Sequence, residues 1–289
     1  MPFKYAAFSV MMPEYTVEES AKLLQSLGYS GVEWRVYSMP SSVPSQTDFW
    51  RGNKATVDLN TIVDKASDIK KLSEDHGLEI VCLGTYLSYK LLDDVKRCME
   101  AAKIMGCGSV RVSAPKYDGC QNYHDIFDKA VDGYGKIEEI ARSFKVRANI
   151  ELHQGSICSS ASLAYRFVSN FDTDHIGVIL DPGNMVAEGH ENWQLGMELL
   201  GPYLAYVHIK NTAWVVDGEV DGVKRWKTAI SPIKEGIVSW ADVLIALDKV
   251  GYNGWLSLED FATGDTKTKL VEDLAYLKSI EAQFDVELS

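Results

Sequence analysis

Several familiar markers of class are missing from the 289-residue chain. It has no Cys-x-x-Cys pair. Its five cysteines (Cys82, Cys98, Cys107, Cys120, Cys158) are scattered and odd in number, which argues against a disulfide framework and for reduced thiols with structural roles. No apolar run reaches the roughly 18 residues of a membrane-spanning helix. The start, Met1-Pro2-Phe3-Lys4-Tyr5, runs straight into strand-like sequence without the pattern of a secretory leader, so a soluble cytoplasmic protein is expected. Positive charge is scarce. The 29 Lys and Arg against 41 Asp and Glu leave a net charge of −12, which repels phosphate backbones and argues against a nucleic-acid partner. The glycine-rich phosphate loop of a dinucleotide-binding fold is absent, because the first strand candidate runs into Ser9-Val10-Met11-Met12-Pro13. No segment repeats at a fixed period, and none is of low complexity. Disorder is excluded as well, since 46% hydrophobic and 24% charged residues is globular composition.

What is present is alternation. Strand candidates fall at 3–10, 31–35, 78–83, 109–113, 146–152, 176–181, 204–209 and 255–258. Helical patterns at 17–27, 58–76, 91–105, 124–144, 160–169, 192–200, 240–250 and 265–284 separate and follow them. Gly28, Gly77, Gly106 and Gly251 stand where helices should stop, and Asp58 where one should be capped. Alternation implies a parallel sheet with helical crossovers. Eight strand–helix units suggest a closed (β/α)8 TIM barrel of the α/β class, one domain over residues 1–289. An open doubly wound sheet is the runner-up, and it would normally carry the missing phosphate loop. Two long connections should lie over the C-terminal face. The first, 36–57, holds Pro40, Pro44, Phe49 and Trp50, and the second, 211–238, holds Trp214 and Trp226.

Active sites of such barrels form at the C-terminal strand ends. There the sequence places Glu33 and Arg35, then Arg111 and Ser113, then Glu151 and His153. The next three strands end in Asp181 with Asn184, His208 with Lys210, and Glu259 with Asp260. In a strand Glu151 and His153 point the same way. Four consecutive strands ending in Glu, Asp, His and Glu would crowd three carboxylates, a repulsion that a divalent cation relieves. The oxygen-rich, single-imidazole set suits Mn²⁺ best, with Mg²⁺, Co²⁺ and Zn²⁺ as alternatives. A hydrogen-bond network without metal is the bland alternative. Arg111 and Glu33 read either as substrate contacts or as ion pairs of the barrel interior. Lys210 either binds a substrate oxygen or neutralises carboxylates. The loop tryptophans serve either as stacking platforms or as lid and oligomer packing.

Five stretches in order give the chain a family likeness: Ile150-Glu151-Leu152-His153, Leu180-Asp181-Pro182-Gly183-Asn184, Val207-His208-Ile209-Lys210-Asn211, Glu235-Gly236-Ile237-Val238-Ser239-Trp240, and the run from Gly251 to Glu259. Over nearly its whole length the chain resembles the xylose isomerase-like barrels, the sugar phosphate isomerases and epimerases. The resemblance implies that Glu151, Asp181, His208 and Glu259 are metal ligands. It also implies that a proton is removed next to a sugar carbonyl through an enediolate, with Glu151 and Glu259 moving protons. The chain departs from the ketose epimerases at Asn184 (a His there), at Trp214 (an Arg there) and in residues 154–160, which carry no carboxylate. With six histidines it is also poor in the additional ones that endonucleases of this fold need. His153 is left over once the ligands are assigned. It either orients Glu151 or acts as a base, as in the subunits that cleave 3-keto C- or O-glycosides or in keto-acid dehydratases. The expected partner is a small sugar or glycoside, and homo- and hetero-oligomers both remain open. A barrel that serves as a non-catalytic subunit is the rival outside catalysis.

Overall fold

The computed structural model describes residues 3–39 and 47–287, with side chains to residue 283. Along the chain run β1 (Lys4–Phe8), α1 (Val17–Leu27), β2 (Gly31–Tyr37), β3 (Thr56–Asp58), α2 (Ile62–Asp75), β4 (Glu79–Gly84), α3 (Leu92–Met105), β5 (Ser109–Arg111), α4 (Tyr123–Phe144), β6 (Arg147–Glu151), α5 (Ala161–Val168), β7 (Ile176–Leu180), α6 (Pro182–Ala187), α7 (Trp193–Leu200), β8 (Leu204–Ile209), β9 (Thr212–Val220), β10 (Val223–Ile230), α8 (Trp240–Lys249), β11 (Trp255–Leu258) and α9 (Thr266–Glu287). Eight strands pair in parallel in the order β1-β2-β4-β5-β6-β7-β8-β11, and β11 returns to β1 with Tyr5 opposite Leu256. The sheet therefore closes, and the fold is the expected (β/α)8 barrel.

Local signals explain the frame. Thr16 and Glu19 form a reciprocal capping box at the start of α1, and Gly28 ends that helix in the left-handed region at φ 81°. β7, Ile-Gly-Val-Ile-Leu, is buried along its whole length, as a strand covered on both faces must be. Trp34, Trp240 and Tyr134 are the largest fully buried side chains and fill the layer between strands and helices. Among the described residues no helix is long and apolar enough to cross a membrane.

Four local expectations change. The connection at 36–57 is partly ordered sheet: β2 runs on to Tyr37, and β3 adds beside its end with Arg35 opposite Thr56. Its centre, residues 40–46 with Pro40 and Pro44, lies outside the described residues. The helix expected from Asp58 begins later, after Thr61. Asp58 instead accepts hydrogens from the backbone of Met39 and Asn60. The connection at 211–238 contains the antiparallel hairpin β9–β10. Asp221 and Gly222 close it with positive φ values of 53° and 78°, the signature of a two-residue turn that matches strand twist. Finally, Asp181 caps α6, its Oδ1 accepting from Asn184 N at 2.8 Å.

Candidate active site

Because the strands are parallel, their C-terminal ends share one rim. β6 ends in Glu151, Asp181 follows β7, His208 is near the end of β8, and Glu259 follows β11. Each offers one ligating atom, and these four atoms all lie within 4.8 Å of one another in a buried cluster. His208 Nδ1 is 3.2 Å from Glu151 Oε1, and 3.8 Å from both Asp181 Oδ2 and Glu259 Oε2.

The imidazole is held from behind. His208 Nε2 lies 3.0 Å from Glu33 Oε2, and the Glu33 carboxylate also accepts from Tyr206 at 2.9 Å and Ser257 at 3.0 Å. A carboxylate on one ring nitrogen leaves the other free to face a cation. Glu33 is therefore placed beneath His208, fully buried, and does not line the cavity. Asn184 Nδ2 is 2.7 Å from Asp181 Oδ2 and 3.2 Å from Glu151 Oε1. Lys210 Nζ is 3.0 Å from Asp181 Oδ2 and 2.5 Å from Glu259 Oε2. Arg111 holds the far oxygen of Glu151, Oε2, at 2.8 Å, and its Nε donates to the Thr85 carbonyl at 2.9 Å.

These contacts set the charge states. Burial alone would raise the Glu151 carboxyl, but Arg111, His208 and Lys210 outweigh it and hold the group well below the usual carboxylate range. Burial raises Glu259 above its ordinary value, against the pull of Lys210 and His208. Burial disfavours a charged His208, yet Glu33 and Glu259, with hydrogen bonds to Asp181 and Glu151, carry it well above its ordinary value. Without a cation the imidazole is thus protonated. Burial likewise opposes a charged Lys210, which Asp181, Glu259 and Glu151 keep protonated.

The donor set fits a divalent cation. Four carboxylates (Glu33, Glu151, Asp181, Glu259) face two permanent cations (Arg111, Lys210), an excess of two negative charges in a buried space once His208 gives up its proton to a cation. Three oxygens and one nitrogen without a thiolate are hard-to-borderline donors.

A cavity of about 460 Å³ opens above the cluster, with Glu151, Glu259 and Lys210 at its floor and Trp50, Tyr86 and His153 among its walls. Tyr86 and Arg111 line it, and Tyr86 Oη and Arg111 Nη2 are buried polar atoms with no hydrogen-bond partner among the described residues. Such groups are rare unless something else completes them. His153 is exposed at the wall, and its Nδ1 lies 2.7 Å from the Gln154 carbonyl. A carbonyl only accepts, so Nδ1 carries the hydrogen and a neutral ring leaves Nε2 with a free lone pair. No hydrogen bond joins His153 to Glu151 among the described residues.

The expected residues therefore separate. Lys210, Asn184 and Arg111 bond directly to the three clustered carboxylates. Trp214 and Trp226 do not line the cavity; they stand on the hairpin, where Trp214 Nε1 donates to the Val186 carbonyl at 3.1 Å. Tyr86 was missed by sequence reasoning. Its signal was position alone, two residues beyond the end of β4.

A (β/α)8 barrel whose strand ends gather three carboxylates and an imidazole around one point defines a class of barrels whose rim could hold a divalent cation. The chain belongs to the xylose isomerase-like TIM barrel family, which it matches over residues 21–280. It is similar to the inosose dehydratase of Serratia proteamaculans (strain 568), 24% identical over 143 residues, 46% of this chain and 47% of that protein. The match thus spans about half the length of that relative. In structure it is similar to the 3-keto-D-glucoside 4-epimerase YcjR from E. coli, with TM-score 0.72 and 15% identity, covering 96% of this chain and 100% of that one. The IOLI protein with a bound zinc atom gives TM-score 0.73 and 17% identity, covering 97% of each chain. At these identities the structural likeness establishes the fold.

Proposed function

We propose that the chain is a divalent-metal-dependent enzyme that removes the proton beside the carbonyl of a sugar or related keto-polyol. The observation that carries this reading is the buried Glu151–Asp181–His208–Glu259 cluster at the floor of a polar cavity. These four residues would hold the cation, and the zinc seen in the IOLI protein supports a cation in this fold. When bound, the cation supplies positive charge that stabilises the negative charge developing on substrate oxygens. The donor set suits Mn²⁺, Mg²⁺ or Co²⁺ as well as Zn²⁺.

The chain's own groups do the rest. Glu33 orients His208, and Asn184 with Lys210 orients Asp181. His153 presents a free Nε2 to the cavity as base, and Glu259, raised by burial, is the second group able to carry a proton. Elimination is the outcome that one specific contact favours. Epimerisation by two glutamates needs both free, and Arg111 occupies the oxygen of Glu151 on which a proton would land. A single base at His153 suffices to take the α-proton, and that proton, or one carried by Glu259, then goes to the oxygen that leaves the β-carbon as water or as the free aglycone. The dehydratase activity named for the Serratia relative supports the same direction.

The test is metal analysis of the purified protein and of its Glu151→Gln and His208→Asn variants, with deuterium exchange from solvent into an inosose and a 3-keto-glucoside. One divalent ion per chain, lost in both variants, and metal-dependent exchange are expected. Absence of a bound ion sinks the metal reading, and absence of exchange in every keto sugar leaves a non-catalytic barrel.

A further inference from the structure

The β9–β10 hairpin contributes no residue to the cavity. Its pairs run from Thr212 opposite Ile230 to Val220 opposite Val223. Trp214, Val216, Trp226 and Ile230 share one face by register and are 42%, 48%, 56% and 57% exposed. The register shift at Arg225/Trp226 adds its extra residue, Asp217, on β9, so alternation along β10 is unbroken. Lys224 therefore lies on the same face as Trp226, with Glu219 directly opposite it. The other face carries Ala213, Val215 and Ala229, which are partly covered, and nearer the turn Val220 and Val223, which are exposed. Two tryptophans, a valine and an isoleucine on one open face form a patch that water disfavours.

Charge narrows what covers it. The chain carries −12 overall, so two copies repel each other over most approaches. The hairpin is the exception. Asp217, Glu219 and Asp221 on one side balance Lys224, Arg225 and Lys227 on the other. Lys227 pairs with Asp217 inside the hairpin, whereas Glu219 and Lys224 have no ion-pair partner among the described residues.

We propose that this face docks a second copy of the chain, hairpin upon hairpin, about a two-fold axis parallel to the strands. That axis lays β9 of one copy over β10 of the other with residues of equal level in contact. Glu219 then meets Lys224 of the second copy, and the symmetry makes the contact twice. The pairs nearer the middle of the hairpin fit in the same sense, because each joins a large side chain to a smaller one: Trp226 with Val216 and Trp214 with Thr228. The axis sets each tryptophan over the smaller side chain of the other copy. A two-fold across the strands would stack β9 on β9 and waste this match. Edge pairing of β10 with itself would bring Lys224, Arg225 and Lys227 against their own copies.

Analytical ultracentrifugation of the full chain tests the arrangement. The wild type should be a dimer. Glu219→Lys and Lys224→Glu, each alone, oppose like charges at two points and should weaken the dimer about tenfold or more. An equal mixture of the two variants should associate like wild type, since each supplies the charge that the other lacks. Circular dichroism melts confirm that both variants fold. A monomeric wild type overturns the proposal, as does a dimer untouched by the single swaps. A mixture that stays apart overturns the axis.

Discussion

Glu33→Gln removes one charge from the floor of the site and keeps its shape. The wild-type carboxylate accepts from His208 and Ser257 at 3.0 Å and from Tyr206 at 2.9 Å. A glutamine carbonyl still serves His208, so what is lost is the negative charge behind the ring. Two effects then oppose each other. Toward a cation, His208 becomes a weaker donor, and loss of such a partner costs about 10–100-fold in metal affinity, or roughly 1.4–2.7 kcal/mol. Toward a proton, Glu33 is the leading charge that lifts His208 against the effect of burial, so the variant's ring gives up its proton at lower pH. The sign follows from linkage. Below the metal-free pKa of His208 one proton must leave for each cation bound, so the logarithm of affinity climbs by about one per pH unit. Above that pKa the curve is flat. The variant should show a lower plateau that begins at lower pH, and its deficit should shrink as pH falls. Titration of metal-free protein with Zn²⁺ or Mn²⁺ against a chelator, with proton release followed in weak buffer, reads both quantities. Equal plateaus and equal midpoints would refute a role for Glu33 behind the metal-binding nitrogen.

Three further outcomes are expected. His153→Ala should leave metal content unchanged and slow solvent exchange into a keto sugar by about 10²–10⁴-fold; loss of metal instead would make His153 a ligand. Tyr86→Phe deletes a buried hydroxyl that has no hydrogen-bond partner among the described residues, so thermal stability should hold while KM rises about 3–10-fold, the worth of one hydrogen bond to substrate. A large fall in Tm with unchanged KM would assign Tyr86 to the fold. Burial, reinforced by Asp260, raises the Asp273 carboxyl from 3.8 to about 7. Between those values the folded chain holds a proton that the unfolded chain releases, so stability falls as pH rises through that window. Asp273→Asn should flatten the slope in urea unfolding from about pH 4 to 7, and an unchanged slope would place its origin elsewhere.

The clustering of four strand-end residues was legible in the sequence because its logic is local. A parallel strand delivers its last residue to one rim, so Glu151, Asp181, His208 and Glu259 could be set together from the end of each strand without knowing the barrel's dimensions. The hairpin was not read from the sequence, where 211–238 reads as a long connection, although Val220-Asp221-Gly222-Val223 carries an Asp-Gly turn between strand-forming residues. What no local pattern contains is how far residues on different strands rise toward the axis. His208 meets Glu33 across 175 positions of sequence, and Arg111 meets Glu151 across 40. Period-two alternation says that these side chains point inward; closure of the sheet decides which of them share a level. For that reason the sequence alone determined the barrel and the four strand-end residues that gather at its rim. Only the tertiary structure put Glu33 beneath the imidazole, tied Glu151 to Arg111, turned Tyr86 into the cavity and left the two hairpin tryptophans outside it.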